Sequence, residues 1–155
     1  MAHARPGHYT RRAMPTAADM RPRVAAALSD RPCRPLAISG RTGVGKTTLL
    51  RAVTAEGDIE PVWCSAVDLV ERVVEALRCE GYAGLRAALA TDHRPLVVEH
   101  LEDLRGKPRT REELRRLLVL RAARGGATVL TLTAGRDDTE IVGWLDGWAD
   151  VVSLD

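Results

Sequence analysis

Two stretches of the chain carry residue types that can act on phosphate chemistry. The first, Gly40-Arg41-Thr42-Gly43-Val44-Gly45-Lys46-Thr47, meets G-x-x-x-x-G-K-[ST] at every fixed position. In such a stretch the glycines let successive backbone N–H groups turn inward around phosphate oxygens. The lysine brings a mobile positive charge, and the hydroxyl after it can join a Mg²⁺ shell. Here those roles fall to Lys46 and Thr47, with Thr48 next in line. A Gly-rich turn can also arise by chance. The apolar Leu36-Ala37-Ile38 before the loop and the helix-compatible Thr47-Thr48-Leu49-Leu50-Arg51-Ala52-Val53 after it supply the strand and helix the motif requires, so the expected guest is a nucleoside triphosphate.

The second stretch is Leu96-Val97-Val98-Glu99-His100, an apolar strand that ends in an acid. The carboxyl ends of parallel strands face the crevice where α/β sheets bind ligands. Phosphate-loop enzymes commonly place there an aspartate that helps hold Mg²⁺, followed by an acid that polarises the attacking water. Glu99 is the expected catalytic and metal-facing acid, one methylene longer than aspartate and able to reach the metal shell through water. The bland alternative is a surface acid at a strand end. His100 is a poor replacement for a proton-accepting carboxylate. Glu102 and Asp103 follow in a turn whose geometry the sequence leaves open. In Val129-Leu130-Thr131-Leu132-Thr133 a hydroxyl comes near the end of a strand expected beside that of Glu99. Thr133 is the better candidate to hold a water against a γ-phosphate, and Thr131 reads as β-branched strand filler.

Positioning these groups requires a sheet. Apolar runs at Pro35 to Ser39, Pro61 to Cys64, Pro95 to Glu99, Ala127 to Thr133 and Asp150 to Leu154 alternate with helix-period segments at Asp19 to Ser29, Lys46 to Ala55, Ala66 to Cys79, Tyr82 to Ala90, Thr110 to Arg124 and Asp138 to Leu145. That alternation predicts an α/β fold, a three-layer P-loop sandwich around a five-stranded parallel sheet. Thr110-Arg111-Glu112-Glu113 reads as a capping box, and Leu114, Leu117, Leu118, Arg121 and Ala122 as the inward stripe of the helix it would start. Arg105-Gly106-Lys107-Pro108-Arg109 is the most loop-like interior stretch.

Composition bounds the answer. The 155 residues, 45% of them hydrophobic, suit one globular domain, expected over residues 16–155 after a solvated basic tail at 1–15. A net charge of +2 carries no footprint that demands nucleic acid. Cys33, Cys64 and Cys79 have neither disulfide-framework nor zinc spacing, which fits a reducing cytoplasm. The basic start lacks the apolar core of a secretory signal, and no run is long enough to span a bilayer.

On these parts the chain resembles the nucleotide-binding subdomain of the bacterial DnaA initiators, a family of AAA+ ATPases. Ile38-Ser39-Gly40 through Leu50 looks like the family's strand, Walker A loop and helix, and Trp63 through Leu69 like its second strand entering the next helix. Leu96 through Leu114 parallels the Walker B strand and a following G-K-x-x-T-x-E-E turn, which is more specific than the Walker motifs. Ala127 to Thr133 falls where the sensor 1 strand lies. The resemblance implies ATP or ADP with Mg²⁺ as cofactors and a partner among replication proteins, with direct DNA contact and oligomeric state left open. The departures are Glu99-His100 in place of two acids, and Trp144-Leu145-Asp146-Gly147-Trp148 where an arginine finger is usual. The chain also stops at Asp155, about where the helical lid would begin. The expectation is an AAA+ core without lid that holds a nucleotide and hydrolyses it weakly or not at all, in a regulatory or interaction role. Two alternatives stand beside it. One is a small P-loop kinase using Arg105, Arg109 and Arg111. The other is a non-catalytic scaffold that binds a protein through an exposed surface with Trp144 and Trp148 as candidate contacts, two rings that otherwise read as packing of the last helix onto the sheet.

Overall fold

The computed structural model describes residues 15–29, 34–91, 93–134 and 138–154. The expected tail up to Met14, and Cys33, lie outside the described residues. In chain order the elements are α1 (Ala17–Ser29), β1 (Leu36–Gly40), α2 (Lys46–Glu56), β2 (Val62–Ser65), α3 (Ala66–Thr91), β3 (Leu96–Glu99), a 3₁₀ turn (Leu101–Leu104), α4 (Pro108–Ala123), β4 (Thr128–Thr133), α5 (Thr139–Asp146) and β5 (Asp150–Ser153). The strands form one five-stranded sheet in the order β2-β3-β4-β1-β5, every neighbouring pair parallel.

The central strands are buried because both faces of the sheet are covered. All of β1 is buried, and β4 is buried except at Thr133. Successive strand residues point to opposite faces, and the core divides accordingly. Ile38, Val97 and Val129 pack with Met20, Val24 and Leu28 of α1 and Leu49, Leu50 and Val53 of α2. Ala37, Val98 and Leu130 pack on the other side with Leu114 and Leu118 of α4 and Ile141 and Leu145 of α5. Of the nominated rings, Trp148 is buried in this second half of the core, and Trp144 packs against it at an edge-to-face centroid distance of 5.2 Å. The packing reading of these rings is therefore the one the fold supports.

Local chemistry sets the element ends, in two places against expectation. Helix α1 starts at Ala17 rather than Asp19. Thr16 and Asp19 cap each other: the Thr16 N–H donates to Asp19 Oδ2 at 2.9 Å and the Asp19 N–H to Thr16 Oγ1 at 3.4 Å. The capping box expected at Thr110 does not start α4. The helix begins two residues earlier, at Pro108, whose fixed φ suits the first helical position, and Lys107 is its N-cap. The loop-like stretch is thus shortened to three residues, Arg105 to Lys107. The stripe predicted for α4 is met residue for residue: Leu114, Leu117, Leu118, Arg121 and Ala122 are its buried positions. Arg121 is tolerated there because its guanidinium donates to the carbonyls of Arg94 and Ala127 and to the Thr128 hydroxyl. The two helices expected on either side of residue 80 run on as α3 through a kink at Gly81, with φ of 69° and ψ of −172°, a backbone open essentially to glycine.

Candidate nucleotide-binding site

The site is built where β1 gives way to α2. Gly43 (φ 81°) and Gly45 (φ 99°) take left-handed backbone that a side chain would strain, and so wind the loop into the first turn of α2, where the Leu49 N–H returns to the Gly45 carbonyl at 2.8 Å. The N-terminus of a helix directed at such a loop is an anion site, through free N–H groups and the helix dipole. The Lys46 ammonium lies inside the loop, donating to the carbonyls of Gly40 at 2.7 Å and Arg41 at 2.9 Å. Partial burial lowers its pKa, and the charge of Glu102 works the other way.

Strand order brings the second stretch to the same place. β4 lies between β3 and β1, as expected of the strand carrying Thr131 and Thr133. Glu99 closes β3, and its Oε1 accepts a 2.7 Å hydrogen bond from the Thr47 hydroxyl. The two residues nominated for Mg²⁺ are therefore in contact across the sheet. Together they offer a hydroxyl and a carboxylate, the hard oxygen donors that Mg²⁺ takes in ones and twos before water and phosphate complete its shell.

A cleft of about 260 Å³ joins these groups. Thr42, Gly43, Gly45, Lys46, Thr47 and Thr48 form one wall, and Glu99, His100, Glu102, Thr131 and Thr133 the other. Of the nominated loop residues, Gly40 ends β1, Arg41 is exposed and contributes its carbonyl to Lys46, and half-buried Val44 packs into the core on the α2 side. A larger hollow of about 770 Å³ between Leu28, Ile59, Pro95 and Ala127 opens beside the residues that precede β3 and β4. It lies at the wrong end of a parallel sheet for the loop's chemistry.

Glu102 is the residue whose place the sequence did not fix. The 3₁₀ turn follows His100, which sits in left-handed backbone at φ 62°, and it swings Glu102 back over the end of β4. Its Oε2 accepts from the Thr133 N–H at 3.0 Å and its Oε1 lies 3.2 Å from His100 Nδ1. Partial burial acts to raise the Glu102 pKa, but the hydrogen bonds from Thr133, its own backbone and His100 outweigh it and hold the carboxyl below the usual range. Arg105 and Arg111, weighed as phosphate-binding charges, turn instead to α5. Arg105 pairs with Asp138, and Arg111 bonds Glu140 at 2.6 Å. Arg109 borders an apolar groove between α3 and α4 rather than the cleft.

A parallel sheet with a phosphate loop at β1, an acid ending β3 and a hydroxyl-bearing strand between them defines a P-loop α/β domain of the AAA+ class. More narrowly, the chain belongs to the bacterial DnaA ATPase domain family, whose model matches residues 12–145. Among solved structures, AMPPCP-bound DnaA from Aquifex aeolicus is similar with a TM-score of 0.62 and 22% identity, covering 86% of this chain and 45% of that one. Domain III of the Thermotoga maritima replication initiation protein DnaA gives 0.65 and 18%, covering 91% and 63%. A DnaC helicase loader gives 0.62 and 16%, covering 88% and 86%. The chain thus spans less than half the length of the Aquifex DnaA it resembles. No curated protein sequence matches it. Among the described residues no helix is long and apolar enough to cross a membrane.

Proposed function

We propose that this domain binds ATP or ADP with Mg²⁺, hydrolyses it slowly or not at all, and serves a regulatory or interaction role in replication-linked DNA metabolism in the cytoplasm. The observation that carries this reading is the 2.7 Å contact between Thr47 and Glu99, which brings the expected metal-facing groups together at the mouth of the glycine loop. Family relatives support the ligand class, since the Aquifex aeolicus DnaA structure is bound to AMPPCP. They also support the setting, being replication initiators and a helicase loader. In the bound state the loop N–H groups and Lys46 would hold the phosphates, Thr47 and Glu99 would hold Mg²⁺, and Thr133 would face the terminal phosphate. The metal would supply charge neutralisation between phosphates.

Weak hydrolysis follows from what stands beside Glu99. His100 occupies the position of the usual second acid, and both oxygens of the other carboxylate lining the cleft, Glu102, are engaged by Thr133 and His100. A carboxylate held below its ordinary pKa is a poor acceptor for a proton from water. A kinase reading loses support because Arg105 and Arg111 are committed to α5.

The test is calorimetric binding of ATP and ADP with and without Mg²⁺, with turnover measured in parallel. Lys46→Ala is expected to reduce affinity at least about tenfold by removing a charge-assisted contact. Glu99→Gln is expected to weaken the Mg²⁺ dependence while turnover stays negligible. Unchanged affinity in Lys46→Ala would sink the proposal. Phosphoryl transfer to a small acceptor well above hydrolysis would replace it with the kinase reading, and partner capture indifferent to Lys46→Ala with the scaffold.

A further inference from the structure

We propose that Glu102 and Arg105 clamp the end of β4, holding the Thr133 hydroxyl where it reads the terminal phosphate, and so give the site its preference for a triphosphate over a diphosphate. The inference rests on the nucleotide-binding reading above.

The clamp replaces a missing piece of sheet. The β3–β4 ladder runs from Leu96↔Thr128 to Val98↔Leu130 and ends there, because His100 turns the chain away in left-handed backbone. β4 continues beside β1 as far as Gly40↔Thr133. On the β3 side Thr133 therefore has no strand partner. Two side chains from the turn take that place, each matched to the group it meets. The Glu102 carboxylate accepts from the Thr133 N–H at 3.0 Å, and the Arg105 guanidinium donates to the Thr133 carbonyl at 3.4 Å. Arg105 is itself anchored by Asp138, whose other oxygen caps α5 by accepting from the Ile141 N–H at 3.2 Å.

Strand alternation gives the clamp its purpose. Leu130 and Leu132 point into the core half beneath α4 and α5, so Thr131 and Thr133 point to the other face, the α2 side, where Lys46 and Thr47 stand. Both threonines line the cleft with those residues. A strand end with only one neighbour would leave the Thr133 hydroxyl loosely placed. Fixing both backbone groups sets it, and a hydroxyl so set contributes only where a terminal phosphate is present to receive it.

ATP and ADP affinities, each with Mg²⁺, separate this role from a purely structural one. Glu102→Ala and Arg105→Ala are each expected to weaken ATP about fivefold or more, the worth of one hydrogen bond, while ADP stays within about twofold. Glu102→Gln keeps an oxygen acceptor for the Thr133 N–H without the charge, and is expected to keep the ratio of ATP to ADP affinity near wild type. In Thr133→Val the ATP preference should already be lost, and adding Glu102→Ala should change it no further. Equal losses for ATP and ADP, or no loss, overturn the clamp, as does Glu102→Gln behaving like Glu102→Ala. Should Glu102→Ala fail to fold, Arg105→Ala and Glu102→Gln read the same comparison. Wild-type protein that binds neither nucleotide overturns the binding reading itself, and the clamp with it. Wild-type binding with equal losses overturns the clamp alone.

Discussion

Thr47 and Glu99 tie two elements of the site together through their side chains: the glutamate at the end of β3 accepts a hydrogen bond from the Thr47 hydroxyl at 2.7 Å, joining α2 to β3. Thr47→Val removes that hydroxyl and keeps the branched shape, so the fold should lose no more than about 1 kcal/mol. The gain in nucleotide affinity on adding Mg²⁺ should then be clearly smaller than in wild type, with Glu99 alone left to hold the metal. A Thr47→Val protein whose affinity rises on adding Mg²⁺ as much as wild type's would show that the metal is held elsewhere. The residues of the loop were legible because their chemistry is local: glycines, a lysine and a threonine at fixed spacing carry their own geometry. Glu99 was legible as the acid that ends an apolar run. The placement of Glu102 was not, since its bond to the Thr133 N–H spans 31 residues of sequence and depends on where two strands stop pairing. The one available signal was an acid close behind Glu99, and Asp103 carried the same signal.

At the scale of elements, the turn between β3 and α4 is tied to α5 by charge. Arg105 pairs with Asp138, while Glu140 accepts from both the Gly106 N–H at 2.7 Å and Arg111 at 2.6 Å. Burial works to raise the Asp138 pKa, and Arg105 together with the backbone N–H groups of Ile141 and Glu140 overcomes it, whereas Glu140 is held low by the Gly106 N–H first and Arg111 second. Both carboxyls therefore lie below their unfolded values. Groups of this kind contribute stability that is fully present above the ordinary carboxylate range and lost as pH falls below about 4. An Asp138→Asn/Glu140→Gln double variant should accordingly melt lower than wild type at pH 7 and show a smaller further drop in Tm between pH 5 and pH 3. Parallel Tm curves for the two proteins across that range would exclude the tie. The elements themselves were largely readable. Five apolar runs became five strands, and the α4 stripe was correct even at Arg121, whose periodic place outweighed its charge. The start of α4 was misread because two helix-start signals compete within three residues, and the proline, with φ already fixed, takes precedence over Thr110.

For the whole molecule, the parts gathered at one edge of the sheet come from far apart in the chain. The loop between β1 and α2, the end of β3 and the end of β4 meet in a single cleft, and each strand that reaches it is anchored in a core shared by helices on both faces. A ligand bound there would contact three strand ends and the start of α2, so it should stabilise the domain as one unit rather than a single loop. Linkage sets the size of the effect: at a free ligand concentration of 100 times Kd, binding to the native state alone adds about 2.7 kcal/mol. For a domain of this size that corresponds to a rise in Tm of roughly 5–10 °C. The rise should appear with MgATP, with one cooperative transition whether followed by far-ultraviolet circular dichroism or by tryptophan fluorescence, to which Trp63, Trp144 and Trp148 report from the two halves of the core. Lys46→Ala should abolish it at the same concentrations. A shift that survives Lys46→Ala would place the ligand outside the cleft, and a transition that splits between the two probes would show that nucleotide orders only the loop and leaves the sheet as it was.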